Sequence, residues 1–291
     1  MEKATVYFTK DISAGALQSI YRALGVTLKG KVAVKISTGE PGGHNFLQPA
    51  LIAPLVKDLN GTIVECNTAY EGRRNTNAAH WETMRAHGFM DIAPCDLMDE
   101  HGEMSLPVTG GKHLRENFVG ENLKNYGSML VLSHFKGHPM AGLGGALKNM
   151  SIGVASAHGK QWIHTSGSGE TSFEALMSAD RDSFLESMAD AAWSIHNRFA
   201  GKAAYINVMK NMSVDCDCCA VAADPKIGDI GILASLDPVA LDQACLDLVY
   251  ASEDPGKADL IQRIESLNGV HTVEAAASLG IGSREYDLVS L

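Results

Sequence analysis

The sequence predicts an α/β fold: a mainly parallel sheet with helices on both faces, with room for two subdomains. Two observations lead there. Short apolar runs rich in Val and Ile alternate along the chain with segments of helical spacing, which is the signature of strand–helix–strand units. The chain has 291 residues, 45% of them hydrophobic and 20% charged, an ordinary globular balance that can bury a sizeable core.

The elements follow in order. Residues 6–8 form a short strand and residues 14–23 have helical spacing. Residues 31–36 read as a buried strand with Val32, Val34 and Ile36 on one face. A helix over 47–59 leads to a strand over 62–66. Residues 76–88 are helical and end on Gly88, a common terminator. Residues 128–133 are a strongly apolar strand, and 181–199 a long helix. Strands are expected at 203–208, 230–235 and 286–291, with helices over 238–249 and 258–267 between them. There is no internal repeat and no low-complexity linker. A single domain over 1–291 is expected, which leaves room for two α/β lobes. The most loop-like stretch, SGSGETS at 166–172, marks a variable insertion point near 164–178.

Several function classes are disfavoured. The net charge is −10 and no basic run occurs, which argues against nucleic-acid binding. No stretch reaches about 18 consecutive apolar residues, so no membrane span is expected. The opening MEKATVYFTK lacks the pattern of a secretion signal. A cytoplasmic location is therefore expected, where thiols stay reduced. Cys66, Cys95 and Cys245 read as core residues. The expected partner is a small-molecule or anionic ligand. Oligomeric state leaves no mark on the sequence.

In parallel sheets, sites lie in the loops beyond the strand C-terminal ends. Three loops qualify: 37–45 (STGEPGGHN), 134–145 and 211–225. In SHFKGHPMAGLGGALKN, the residues His134, Lys136 and His138 alternate, so all three share a face if the strand runs on. Two imidazoles on one face suit zinc, nickel, copper or iron. Lys136 between them disfavours a cation unless it is neutral or points at an anion. Gly142, Gly144 and Gly145 then precede a helix carrying Lys148 and Asn149. Such glycines let a ligand approach the backbone, and the helix amides attract an anion.

Cys216, Cys218 and Cys219 form a CxCC turn able to hold a soft metal or anchor part of a cluster. No second cysteine pair exists, so a self-contained zinc ribbon or ferredoxin motif is absent. Other metal ligands are needed, and His134 and His138 are the candidates by type. Arg73 and Arg74 follow a strand and are either an anion clamp or a solvated turn. Asp237 is either the cap of the helix opening at Pro238 or a ligand-binding residue. No Gly-x-Ser-x-Gly elbow and no Walker A loop are present.

SHFKGHPMAGLGGALKN, the CDCC turn and DIGILASLDPVALDQACLDLV together resemble the domain-of-unknown-function 362 family, over nearly the whole chain. Its members are often labelled iron–sulfur centre proteins. Many carry an inserted pair of ferredoxin-like CxxCxxC motifs after the GALKN region. Here the corresponding stretch, about 164–178, holds no cysteine. The resemblance therefore does not license a [4Fe–4S] cluster. A more distant resemblance is to the nickel-pincer lactate racemases, through the spacing of His138, Lys148 and His164. It implies Lys148 as the tether of the pincer, His164 as a nickel ligand and His138 as the proton shuttle.

Three readings remain open. The first is a metal-binding or iron–sulfur-type redox protein using Cys216, Cys218 and Cys219 with His134 or His138, its metal being iron, zinc or nickel. The second is a racemase or isomerase acting on a small hydroxy acid through His138, Lys148 and His164, with Lys136 beside them. The third is a non-enzymatic module that binds a small anion on the glycine loop and Arg73/Arg74.

Overall fold

The computed structural model describes residues 3–291; Met1 and Glu2, the start of the MEKATVYFTK segment, lie outside it. Its centre is an eight-stranded sheet. The strands are β1 (Ala4–Thr9), β2 (Val32–Lys35), β3 (Thr62–Glu65) and β4 (Cys95–Leu97), then β7 (Ser128–His134), β10 (Ala203–Met209), β11 (Gly231–Ser235) and β12 (Tyr286–Ser290). Two ribbons stand apart from it, β5 (Glu103–Pro107) with β6 (Glu116–Gly120), and β8 (Lys136–His138) with β9 (Gly142–Gly144).

The order across the sheet is β12-β1-β11-β10-β7-β2-β3-β4. Strand β11 is antiparallel to both of its neighbours, and every other pairing is parallel. The sheet is therefore mainly parallel, as its apolar strands predict. Side chains alternate between two layers. Val32, Val34, Leu130, Leu132, Ile206 and Val208 pack on one face. Ala33, Met129, Val131, Tyr205 and Met209 pack on the other.

The first layer is covered by α1 (Ala14–Ala23) and α2 (Pro49–Asp58). Helix α3 (Asn77–Ala86) follows β3, and Gly88 beyond it adopts a left-handed φ of 81°. The second layer is covered by α4 (Ala146–Ser151), α7 (Arg181–Arg198), α8 (Pro238–Ala251), α9 (Lys257–Ser266) and α10 (His271–Ser278). Helices α5 (Ala157–His164) and α6 (Phe173–Ser178) lie between α4 and α7 in the chain. No helix of the described residues is long and apolar enough to cross a membrane.

The predicted strands and helices lie within a few residues of the observed ones. Absent from the expectation are β4, the β5–β6 ribbon, β9, α5, α6 and α10. Strand β4 has three residues at the sheet edge, and β5 is largely exposed, so neither carries an apolar pattern to read. The 134–138 segment also differs from a continuous strand. Strand β7 pairs with β10 as far as His134, after which the chain leaves the sheet and Lys136–His138 pairs with β9.

Asp242 joins three elements. This α8 carboxylate, fully buried, accepts from the backbone N–H of Ala146 (2.8 Å) and of Leu147 (2.9 Å) and from Nδ2 of Asn207 (2.7 Å). It thus holds the start of α4 against α8 and β10. Gly145 makes this approach possible, because a Cβ there would lie 2.4 Å from Asp242 Oδ1. Asp242→Ala leaves two amides and a carboxamide buried without an acceptor. It is expected to reduce unfolding free energy by about 3 kcal/mol, measured as a lower denaturant midpoint at unchanged slope.

Candidate functional site

Strands β2, β3, β7 and β10 are mutually parallel, so their C-terminal ends share one edge of the sheet. The loops that leave them meet there around a cavity of about 370 Å³. Its wall includes Lys136, His138, Lys148, His164, Cys216 and Cys218. The His/Lys/Gly loop and the cysteine turn, separate in the chain, are thus neighbours in space.

Asp217 organises this wall. Its carboxylate is fully buried, 2.8 Å from Nδ1 of His134 through one oxygen and 2.8 Å from Nζ of Lys136 through the other. Its backbone carbonyl accepts from Glu40 N at 2.8 Å, which attaches the loop after β2. The cysteine turn can lie this close to β8 because residue 137 is glycine. A Cβ there would stand 2.2 Å from the Val214 carbonyl oxygen, while Gly137 N donates to Ser213 O at 2.8 Å.

Beside this hub, His138, Cys216 and Cys218 place their ligand atoms within 4.8 Å of one another, all buried or half-buried. Cys218 Sγ is 4.0 Å from His138 Nε2, and Lys148 Nζ is 3.9 Å from Cys216 Sγ. A hydrogen bond from Cys218 holds the Cys216 thiol well below its ordinary pKa, with help from the ammonium groups of Lys148 and Lys136. Cys218, the donor of that bond, is pushed up. Cys218 also acts on Cys219, whose thiol is lowered, so the three sulfurs titrate together as one group. Cys219 is half-buried on the cavity wall but outside this ligand set.

Two of the three histidines that line the cavity, His138 and His164, are held in opposite tautomers. His138 Nδ1 accepts from the N–H of Met140 (3.2 Å) and Ala141 (3.0 Å), which in the neutral ring leaves the hydrogen on Nε2, facing the sulfurs. His164 Nδ1 faces the Lys160 carbonyl at 2.7 Å and carries the hydrogen itself, so its Nε2 is a bare lone pair. Burial pushes His164 down to about 4, and its ring stacks on Phe184 at 4.4 Å.

Other residues singled out in the sequence have different surroundings. Both ring nitrogens of His134 face oxygens, those of Asp217 and of Lys210 O at 2.6 Å, so neither lone pair is free for a metal. Arg73 is exposed and pairs with Glu82 at 3.0 Å. Arg74 is buried on the cavity wall, but its charge is matched by Glu40 (2.8 Å) and Glu65 (3.4 Å). Gly144 and Gly145 line the cavity and Gly142 packs on Gly269, yet the anion at the start of α4 is the protein's own Asp242. Asn149 clasps two strand ends, donating to Lys35 O, Leu132 O and Ser133 Oγ at 3.0–3.3 Å. Asp237 is not brought to this site at all. Strand β11 runs the other way, so its end lies at the opposite edge of the sheet, where Asp237 caps α8 through Val239 N and Ala240 N.

Three cavity residues were missed by sequence reasoning: Lys35, Glu65 and Lys160. The signal for Lys35 was present, since a lysine closing the apolar run VAV stands where a strand meets a site. Cys66, read as core, is buried and also borders the cavity, its thiol donating to Val154 O at 3.2 Å.

The family model described as "Domain of unknown function (DUF362)" matches residues 32–247. No curated protein matches the chain. Among solved structures, a lactate racemase apoprotein from Thermoanaerobacterium thermosaccharolyticum is similar at 15% identity and a TM-score of 0.41, over 69% of this chain and 50% of that one. A crystal structure of a protein from Thermotoga maritima is similar at 10% identity and a TM-score of 0.42, over 91% of this chain and 58% of that one. The chain thus spans 50% and 58% of the lengths of these two structures.

The His164 environment is open to direct measurement. In a histidine ¹H–¹⁵N correlation, its ring is expected to titrate near 4 rather than 6.5, with Nδ1 protonated above that pH. The unfolded chain binds the extra proton first as pH falls. His164 therefore withdraws stability between pH 6.5 and 4 and withdraws none above pH 6.5. His164→Phe is expected to flatten stability across that window. A ring that titrates at 6.5 refutes this account of its burial.

Proposed function

The chain belongs to the DUF362 family, and within it we propose a metal-binding protein whose His138, Cys216 and Cys218 hold one borderline divalent ion of the zinc type at the cavity wall. The observation that carries this is the convergence of one imidazole and two sulfurs within 4.8 Å, with one sulfur already favouring the thiolate. One nitrogen and two sulfurs make three protein ligands, the donor set of catalytic zinc sites that keep a fourth position for water or substrate. All three residues line the cavity. An ion bound there supplies Lewis acidity toward a ligand oxygen.

The protein's own groups have defined parts in this reading. Asp217 orients Lys136 and fixes the turn that carries both sulfurs. Lys148, 3.9 Å from the Cys216 sulfur, is one of the ammonium groups that lower its pKa and so favour it as a ligand. His138 must release its Nε2 hydrogen to ligate, which shifts a proton to Nδ1 and opens the Met140 and Ala141 contacts. The 139–141 turn is thus the part that moves on loading. Iron–sulfur chemistry of the four-cysteine kind lacks ligands here, because the sulfurs at the cluster number two.

A second reading is favoured by the opposed histidine tautomers. His138 presents an N–H and His164 a bare nitrogen to one cavity, an acid and a base of the kind that racemisation or isomerisation of a small hydroxy acid needs.

Elemental analysis on protein purified anaerobically tests the first reading. About one equivalent of zinc, iron or nickel is expected, with Cys216→Ser and Cys218→Ser both emptying the site while far-UV circular dichroism is unchanged. Metal-free wild-type protein that also fails to take up zinc on titration overturns it. Solvent deuterium wash-in at the α-carbon of small 2-hydroxy acids tests the second. Exchange that is lost in His164→Ala and kept in Cys218→Ser supports it, and no exchange with any such acid refutes it.

A further inference from the structure

Two lysines outside every sequence motif line the same cavity. Lys35 closes β2 and Lys160 lies in α5, and both residues are buried, with relative exposures of 2% and 7%. Each ammonium gives one hydrogen to a backbone carbonyl, Lys35 to Ile36 O and Lys160 to Ala155 O. An ammonium has three hydrogens, and the described residues accept one from each. Among the described residues, no carboxylate lies within 4.0 Å of either group.

The remaining cavity cations are matched. Lys136 has Asp217 at 2.8 Å, Arg74 has Glu40 at 2.8 Å, and Lys148 has the Cys216 sulfur at 3.9 Å. The carboxylates that act on Lys35 and Lys160 from further away have other partners. Glu65, the carboxylate that acts most on Lys35, is out of contact with it and divides its charge among Lys35, Arg74 at 3.4 Å and His80 at 3.6 Å while accepting from Thr38 N. Asp99 accepts from Asn67 N at 2.9 Å and Ala157 N at 3.2 Å. Burial, the largest influence on each, pulls Lys35 down to about 8 and Lys160 in the same direction. The stem of Lys35 is also given room: a Cβ at position 153, which is glycine, would stand 2.8 Å from its Cε.

Buried cations with no carboxylate in contact are unfavourable unless a ligand supplies the charge. We propose that Lys35 and Lys160 form an oxyanion subsite, which takes the carboxylate or phosphoryl group of a small molecule whose other end reaches the His138–Cys216–Cys218 cluster. A volume of about 370 Å³ admits a small organic acid or a small phosphate ester and excludes a macromolecule. This subsite differs from an anion clamp on the glycine loop and Arg73/Arg74, whose charges and amides have protein partners. It rests on the metal-site reading only for the shared cavity.

Calorimetric titration of metal-free and zinc-loaded protein with oxalate, malonate and inorganic phosphate tests the proposal, with uncharged malonamide as control. Saturable binding of at least one anion is expected in the metal-free protein, weakened about tenfold or more by Lys35→Met and by Lys160→Met. The bound metal of each lysine variant should equal that of wild type, which separates failure here from failure of the metal site. Preference for the dicarboxylates or for phosphate tells which source supplies the oxyanion. If Lys35→Met does not fold, Lys160→Met alone decides. Three outcomes overturn the subsite: no anion binds, both variants bind as wild type, or binding requires zinc and ignores the lysines.

Discussion

A carboxylate without access to water has to find its donors on the protein, and Asp217 finds them on a different segment of chain. His134 and Lys136 each present one donor at 2.8 Å, and the Asp217 carbonyl binds the loop after β2 in turn. The three loops leaving β2, β7 and β10 are joined through this one residue. Its neighbours Cys216 and Cys218 are placed beside His138 as a consequence. Gly137 is the steric condition of the whole arrangement, since any side chain there would collide with the backbone two residues before Cys216.

The cavity is electrostatically unusual for a chain of net charge −10. Four lysines and an arginine line one buried space, and the negative charge of the chain lies mostly elsewhere. Lys136 and Arg74 are matched by Asp217 and a glutamate pair, and Lys148 lies beside the lowered Cys216 sulfur. Each such match lowers the penalty of burial and at the same time tunes chemistry, as with the thiol of Cys216, which becomes a better metal ligand. Groups left unmatched in such a space mark where a ligand contributes what the protein does not.

The start of α4 illustrates how a motif and its physical role can part. Glycines before a helix invite an anion to the helix amides, and an anion is indeed there. It is the α8 side chain of Asp242, 96 residues from Ala146 in sequence. The same geometry that would cradle a phosphate here holds the core together.

Much of the fold was legible because periodicity is local. Val32 and Val34 alternate with Ala33, so the strand and both of its faces follow from six residues of sequence. The loops at the strand ends followed from parallel topology, His138, Lys148, Cys216 and Cys218 were named from residue type and position, and His164 entered through a family resemblance; all five line the cavity. What sequence could not decide was the charge balance. Whether a lysine is matched depends on which carboxylate the fold carries to it: Asp217 reaches Lys136 across 81 residues of chain, and none reaches Lys160. The same holds for the tautomers of His138 and His164, set by backbone groups whose direction only the folded turn defines. Asp237 went to the far edge because β11 reverses, and strand direction is settled by the pairing of neighbours rather than by the residues of the strand itself.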